Sequence, residues 1–454
     1  MTVDPNSVHR TEKLLVDSAE AATFEEATAQ LAQYVLQIDI GAKMANRTRQ
    51  AIVLTAVNAA ARAFRGGVFV RIVEDATVQI GWDAGRPLSE AVEHLGGVLV
   101  SKLNSEVPTV CVGDPVLPVA GRPVLRATFD GWAGGVVEGP STTLSERDWF
   151  IPAGVTAAGI AVGEAFECRR GNLRAGRRSQ GLSLWRPEVD WLDPDAAGPD
   201  DLALGPSRCW VIGLGHLGQA YLWAISLLPY EDRGQVRLML QDDDRITTAN
   251  ESTGLLTPTA VGLGRPKARL AAEQMERLGF QVSISERRFQ NGHGPSGDEP
   301  RLALVGVDNP DLRASLSDAG FDLAIDAGLG AGPLHYRDIL THVFPAGRRS
   351  DEIPGWREAA SAPPTALLDL AAYRHLTAYD GDECGTVLVA GRSVAAAFVG
   401  ATAAGLVIAE AVRCLSGEHR YAVIDLSLRD LAETQAIEAT DAPPATNLGF
   451  SRLT

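Results

Sequence analysis

The stretch that decides the fold reads CWVIGLGHLGQAYLW at residues 209–223, VRLMLQDDDRITTAN at 236–250 and GLGRPKAR at 262–269. An apolar run, Cys209 to Ile212, meets the turn Gly213-x-Gly215-x-x-Gly218 and then an apolar helical pattern from Gln219 to Leu228. A second apolar run, Val236 to Leu240, ends on Asp242, Asp243 and Asp244. Strand, glycine turn, helix, strand and acid in that order predict a nucleotide held on a parallel sheet. The first two glycines let the backbone approach phosphate, and the third lets helix and strand pack closely. The helix N-terminus offers free N–H groups and the positive end of its dipole. Asp242, 24 residues after Gly218, stands where a ribose hydroxyl needs an acceptor. A tight turn in an ordinary α/β sheet uses similar glycines, but it does not need the acid at that distance. Which nucleotide is bound stays open at this point.

The residues that follow narrow the choice. Asn250 comes next, then Lys267 within Gly-Arg-Pro-Lys-Ala. Only Lys13, Lys43, Lys102 and Lys267 are lysines among the chain's 41 basic residues, so the rest are arginines. A lysine kept inside the nucleotide segment of such a chain suggests chemistry that a compact, movable charge serves and a fixed guanidinium fork does not. A solvated surface lysine is the plain alternative. The ordered set resembles the ThiF/MoeB/HesA adenylyltransferase superfamily, which includes the ubiquitin-activating enzymes. That family's fingerprint runs Gly-x-Gly-x-x-Gly, Asp-x-Asp-x-Val-x-x-x-Asn-x-x-Arg, Gly-x-x-Lys-Ala and an Asp-Asn pair. Here it is matched by Gly213, Gly215 and Gly218, by Asp242, Asp244, Ile246 and Asn250, by Gly264, Lys267 and Ala268, and by Asp308-Asn309 in LALVGVDNPDLRASL. AIDAGLGAGPLH, at 324–335, is similar to the family's next strand and turn. The resemblance covers roughly residues 206 to 420.

The resemblance implies ATP-dependent adenylation, in which a carboxylate is joined to the α-phosphate and pyrophosphate is expelled. It implies that Asp242 takes the ribose, that Asn250 and Lys267 contact phosphate oxygens, and that Asp308 helps hold Mg²⁺, a hard ion suited to carboxylate and phosphate oxygens. Gly213, Gly215, Gly218, Asp244 and Asn309 complete the implied nucleotide site. Catalysis would be positioning and charge neutralisation, with Lys267 and Asp308 central. Where the family has an arginine after the Asn, this chain has Thr253, which cannot neutralise phosphate. Arg245, Arg265, Arg269 or an arginine from the other half of the chain are the candidate substitutes. Cys384, in DGDECGTVLVAG, resembles the family cysteine that in some relatives attacks the acyl-adenylate to form a thioester. Its neighbours Asp380, Asp382 and Glu383 would raise a thiol pKa. Cys111, Cys209 and Cys414 read as packing residues.

The first half echoes the second. AAGIAVGEAFECRRG at 157–171 and AAGLVIAEAVRCLSG at 403–417 are identical at seven of fifteen positions, a constant 246 residues apart. TFDGWAGG, from Thr128, loosely matches AIDAGLGAG. Internal duplication accounts for this, and a coincidence between Ala-rich helices is the alternative. IVLTAVNAAARAF, Ile52 to Phe64, has no glycine turn before it and no acid cluster after it. The expectation is therefore a degenerate copy that binds no nucleotide. Ubiquitin-activating enzymes also pair an inactive with an active domain, the partner lending an arginine to the triphosphate. Arg47 and Arg49, in NRTRQ, are candidates for that role, beside the plainer reading of an exposed basic helix end.

The expected fold is α/β: a Rossmann-like adenylation domain, with a mainly parallel sheet and helices on both faces, preceded by a related degenerate α/β domain. Its expected divisions are a degenerate domain at 1–175, a Pro/Asp/Gly-rich linker at 176–205, the ATP-binding domain at 206–438 with a crossover loop near 346–384, and a loose tail at 439–454. The formal charge of −16 argues against nucleic acid or an anionic membrane as partner. No apolar stretch of about 18 residues free of turn residues marks a span. Five cysteines without a C-x-x-C pair give neither a zinc site nor a disulfide framework. A reducing cytoplasm fits, and the arginine bias fits a GC-rich bacterial genome. The resemblance implies a small ubiquitin-like or sulfur-carrier protein as substrate and a conjugating or sulfur-transfer protein downstream. It leaves open a monomer, whose internal pair supplies the dimer interface, or a homodimer. A weakly active ATP-binding scaffold and an NAD-dependent oxidoreductase are the rival readings.

Overall fold

The computed structural model describes residues 7–114, 123–139, 141, 143–290, 292–354, 356, 365–380, 383–440 and 448–454. Two sheets carry the fold. The first holds β1 (Val35–Ile40), β2 (Gly67–Ile72), β3 (Gly97–Leu99), β4 (Thr109–Val112), β5 (Val124–Asp130), β6 (Ala133–Glu138) and β7 (Gln180–Ser183), in the order β3-β2-β1-β4-β5-β6-β7. A short strand, β8 (Leu204–Pro206), leads into the second sheet. That sheet holds β9 (Arg208–Ile212), β10 (Arg237–Gln241), β11 (Gln281–Ser285), β12 (Leu302–Val305), β13 (Leu323–Leu329), β14 (Asp338–Phe344), β15 (Tyr421–Ser427) and β16 (Gln435–Glu438), in the order β11-β10-β9-β12-β13-β14-β15-β16. In each sheet the first five strands in that order are parallel and the remainder antiparallel. The two orders coincide strand for strand until β16 is added. The continuous apolar runs explain why: β4 and β12 are buried at every position, as parallel strands covered on both faces must be.

Helices Ile151–Arg169 and Ala397–Ser416 pack against each other between the sheets. A Cβ on Gly159 would collide with Thr402 Oγ1 and the Phe398 carbonyl, and one on Gly405 with Thr156 Oγ1 and the Pro152 carbonyl. Each of these pairs is related by the same 246-residue offset, so the crossing is reciprocal. Glycine is required at both positions because the backbones approach too closely for a side chain. Helix Ala397–Ser416 is long and apolar enough to cross a membrane, but 94% of its apolar window is buried inside the fold.

The divisions differ from the sequence expectation at three places. The stretch 176–205 includes β7, an integral strand of the first sheet, and Trp191 from it is buried against Gly135 and Gly181. The end of the chain is not loose where it is described. β17 (Phe450–Arg452) pairs with β8, and Thr454 N donates to the Pro229 carbonyl at 2.9 Å. Backbone pairing available to any extended segment overrides the Pro/Ala/Thr composition there. The crossover region is helical in much of its described part, with helices Thr365–Leu368, Ala371–Asp380 and Glu383–Ala390.

Candidate functional site

Strand order reverses between β9 and β12, so the crevice beyond their carboxyl ends is the place where an open parallel sheet binds ligands. The glycine turn fills one wall. Gly213 has φ +83°, and a Cβ there would meet Val307 and the Gly306 carbonyl, immediately before Asp308. A Cβ on Gly218 would overlap the Gly213 carbonyl, which is how the helix His216–Leu227 seats on the turn. A Cβ on Gly215 would meet nothing within 4 Å. Gly215 is also the N-cap of that helix, and among the described residues no side chain caps it. The helix N-terminus therefore presents its N–H groups to open space.

The acids lie beside it. Asp242 accepts from Leu214 N at 2.6 Å and from Asp244 N at 2.7 Å, and burial pushes its carboxyl pKa up. Carboxylate oxygens of Asp242, Asp243 and Asp244 lie within 4.8 Å of one another. Lys267 offsets this crowding of negative charge: its Nζ is 2.7 Å from Asp244 and 4.0 Å from Asp242. Lys267 opens the helix Lys267–Arg277, its own N–H donates to the Asp244 carbonyl at 3.0 Å, and the residue is buried. It is thus a held cation at the mouth of the turn and not a solvated surface charge. Asn250 turns its Oδ1 back to Thr247 N at 2.8 Å, so Nδ2 is what it has to offer a phosphate. Asp308 is exposed at the end of β12. Asn309 is spent differently from the sequence expectation: its Oδ1 caps the short helix Pro310–Ala314 by accepting from Leu312 N at 3.1 Å. Cys384 falls in the helix Glu383–Ala390, and its side chain lies outside the described residues.

Thr253 is itself buried, and the candidate arginines are placed as follows. Arg245 donates to the Gly264 carbonyl at 2.8 Å, Arg265 pairs with Glu273, and Arg269 pairs with Glu286 at 2.8 Å, so all three are engaged locally. Arg47 Nη1 donates to the Thr454 carbonyl, and Thr454 is held to the second half through Pro229, while Arg49 Nε donates to Glu146 at 2.6 Å and its Nη1 to the Lys43 carbonyl at 2.9 Å. Neither of these contacts is with the glycine turn or its acids. Other residues cross as well. Arg62 donates to the Gly254 carbonyl, Asn58 Nδ2 to the Leu255 carbonyl at 2.8 Å, and Arg65 pairs with Glu251 at 3.1 Å, so the helix Arg47–Ala63 grips the segment around Thr253.

Arg10 goes further. It opens the helix Arg10–Asp17, and its Nη1 is buried without an acceptor among the described residues. Burial and the positive charge of Arg392 lower its pKa to about 10, while Asp308 favours its charged form. It also acts on His216, the residue after Gly215, whose pKa burial lowers to about 4. Arg10 thus lies within electrostatic range of Asp308, Arg392 and His216. No sequence motif marks Arg10; it is the first residue of a helix that precedes the first sheet.

In the first half the equivalent helix end is closed. Asp148 accepts from Arg47 N at 2.9 Å, Thr48 N at 3.0 Å and Thr48 Oγ1 at 2.6 Å, and Asn46 Oδ1 accepts from Arg49 N at 2.9 Å. The donors that the second half leaves open are here bonded to a carboxylate from the same chain.

Two family models match this chain, one in each half. The family described as BilD N-terminal domain matches residues 35–184, and that described as BilD C-terminal domain matches 205–418. The bacterial E1-like protein BilD of Collimonas sp. (strain OK412) is 37% identical over 455 residues, spanning 100% of this chain and 97% of that protein. Among solved structures, E. coli MccB with ATP is 12% identical, covering 72% of this chain and 98% of its own, with a TM-score of 0.33. The microcin C7 biosynthetic enzyme MccB with N-formylated MccA is 11% identical over the same shares, with a TM-score of 0.32. Scores at that level carry no argument about this chain.

Proposed function

The chain belongs to the BilD family of bacterial E1-like proteins, and from that premise we propose that it adenylates the C-terminal carboxylate of a small ubiquitin-like or sulfur-carrier protein. The observation that carries the reading is Arg10, whose buried Nη1 has no acceptor among the described residues and whose charge acts on Asp308 and on His216 of the glycine turn. A buried donor without an acceptor is costly, and an oxyanion bound there removes the cost. In the reaction a carboxylate oxygen attacks the α-phosphorus of ATP. The bond from that phosphorus to the bridging oxygen breaks, and pyrophosphate leaves with the electron pair.

The chain's residues divide the work by charge. Gly215 and the open helix N-terminus receive phosphate oxygens, and Lys267 neutralises charge as it shifts to the leaving group. Asp242 keeps lone pairs for the ribose, and Asn250 Nδ2 donates to phosphate. Asp308, exposed and within electrostatic range of Arg10, would be the carboxylate that holds Mg²⁺. Bound there, the metal would offset triphosphate charge. Arg10 takes over the neutralisation that Thr253 cannot perform. No general base is required, because the attacking carboxylate is already ionised near neutral pH. In an onward step, a Cys384 thiolate would attack the acyl-adenylate carbonyl and expel AMP, loading the carrier for a conjugating or sulfur-transfer protein in the cytoplasm.

ATP–pyrophosphate exchange with Mg²⁺ and candidate carrier proteins tests the proposal. Exchange is expected to depend on the carrier and to fall about 100-fold or more in Lys267→Ala and Asp308→Ala, the scale of losing one electrostatic contact to developing charge. Thr253 favours a second reading, a weakly active scaffold of the same fold. Measurable ATP binding with no exchange from any carrier would establish that reading instead.

A further inference from the structure

Lys13 is one of the chain's four lysines and is fully buried, yet the adenylation reading gives it no task. It lies one turn beyond Arg10, and Asp17 one turn further, so the three share one face of the helix Arg10–Asp17. Lys13 Nζ pairs with Asp17 at 2.5 Å and donates to Tyr373 Oη at 2.9 Å. Tyr373 Oη donates to the other Asp17 oxygen at 2.6 Å. Tyr373 is itself buried, sits edge-on to Phe24, and belongs to the helix Ala371–Asp380 of the crossover region. Three buried polar groups thus satisfy one another, and breaking any one bond strands a buried partner.

We propose that Tyr373, through Asp17 and Lys13, is a positioning residue for Arg10: docking of the crossover helix sets the helix that aims the guanidinium at the triphosphate. This rests on the adenylation reading and adds a linkage to it. Because coupling between two sites is reciprocal, a bound triphosphate must hold the crossover helix as firmly as that helix holds Arg10. A nucleotide without β- and γ-phosphates leaves Arg10 unused and exerts no such hold. The crossover region would then be fastened while ATP is present and released once pyrophosphate has gone.

The test compares binding of ATP and AMP to the full chain. Tyr373→Phe, which removes one hydroxyl and keeps the ring against Phe24, is expected to weaken ATP about 5- to 150-fold, the usual range for coupled sites, and to leave AMP unchanged. In an Arg10→Ala background the same substitution is expected to have no further effect on ATP. A purely structural role would instead weaken both nucleotides, or add to Arg10→Ala, and either result overturns the proposal. Should Tyr373→Phe not fold, hydrogen exchange on the unmodified protein decides: a non-hydrolysable ATP analogue slows exchange in Ala371–Asp380 and AMP does not. Equal exchange with both ligands also overturns the proposal. If the unmodified protein binds no ATP, the adenylation reading fails with it, an outcome distinct from ATP binding that ignores Tyr373.

Discussion

Three histidines are held neutral by their surroundings. Burial, the largest cause in each case, lowers His9 to about 3 and His216 and His342 to about 4, and nearby arginines push in the same direction. In the unfolded chain the same groups titrate at about 6.5. Because the folded values are depressed, the unfolded state binds more protons below that point. The stability is present above about pH 6.5 and is lost as the pH falls toward the folded values. Each histidine contributes a slope of at most about 1.4 kcal/mol per pH unit in that window. Urea denaturation between pH 7 and 5 is expected to show the decline, and His216→Gln to flatten it. A slope unchanged by that substitution would contradict the assignment. At this scale Lys267 is legible in the sequence, because its partners Asp242 and Asp244 lie on the adjoining strand and the motif is contiguous. Arg10 is not, because what defines it is its approach to residues of the other half.

The glycine turn gives a sharper contrast between neighbours. Gly218→Ala places a methyl into the Gly213 carbonyl. Overpacking of a backbone contact costs about 1–3 kcal/mol or more. Gly215→Ala meets nothing in the protein, and its φ of −78° lies outside the left-handed region. It is expected to leave thermal stability nearly unchanged and to abolish nucleotide binding, while Gly218→Ala lowers stability. Thermal melts paired with nucleotide titration separate the two, and equal stability losses would refute the contrast. The strand–turn–helix element is readable in advance because periodicity and glycine spacing are local. The tail is not: β17 forms only because β8 presents a free edge, a fact absent from its own composition. Asn309 was also beyond sequence reasoning, since a side chain that can cap a helix or bind a ligand is assigned only by the geometry of the turn it occupies.

Across the whole molecule the two sheets have one strand order, and their central helices cross at Gly159 and Gly405. The halves differ where chemistry would occur. One helix N-terminus is open, and the other is bonded to Asp148. Asp148→Ala is expected to lower stability by about 1–2 kcal/mol, the scale of a lost helix cap. In a Gly215→Ala background, which closes the second turn, it should also make the melting temperature rise with phosphate relative to chloride at equal ionic strength. No phosphate dependence would show that the vacated donors do not bind anions.

Asp148 can also be regarded as a ligand that the chain carries with it. A free nucleotide stabilises its host by mass action and is lost on dilution. A tethered carboxylate has a fixed effective concentration, and dilution does not remove it. If the second half fills and empties with nucleotide as proposed, the helix end of the first half stays occupied throughout by its own Asp148.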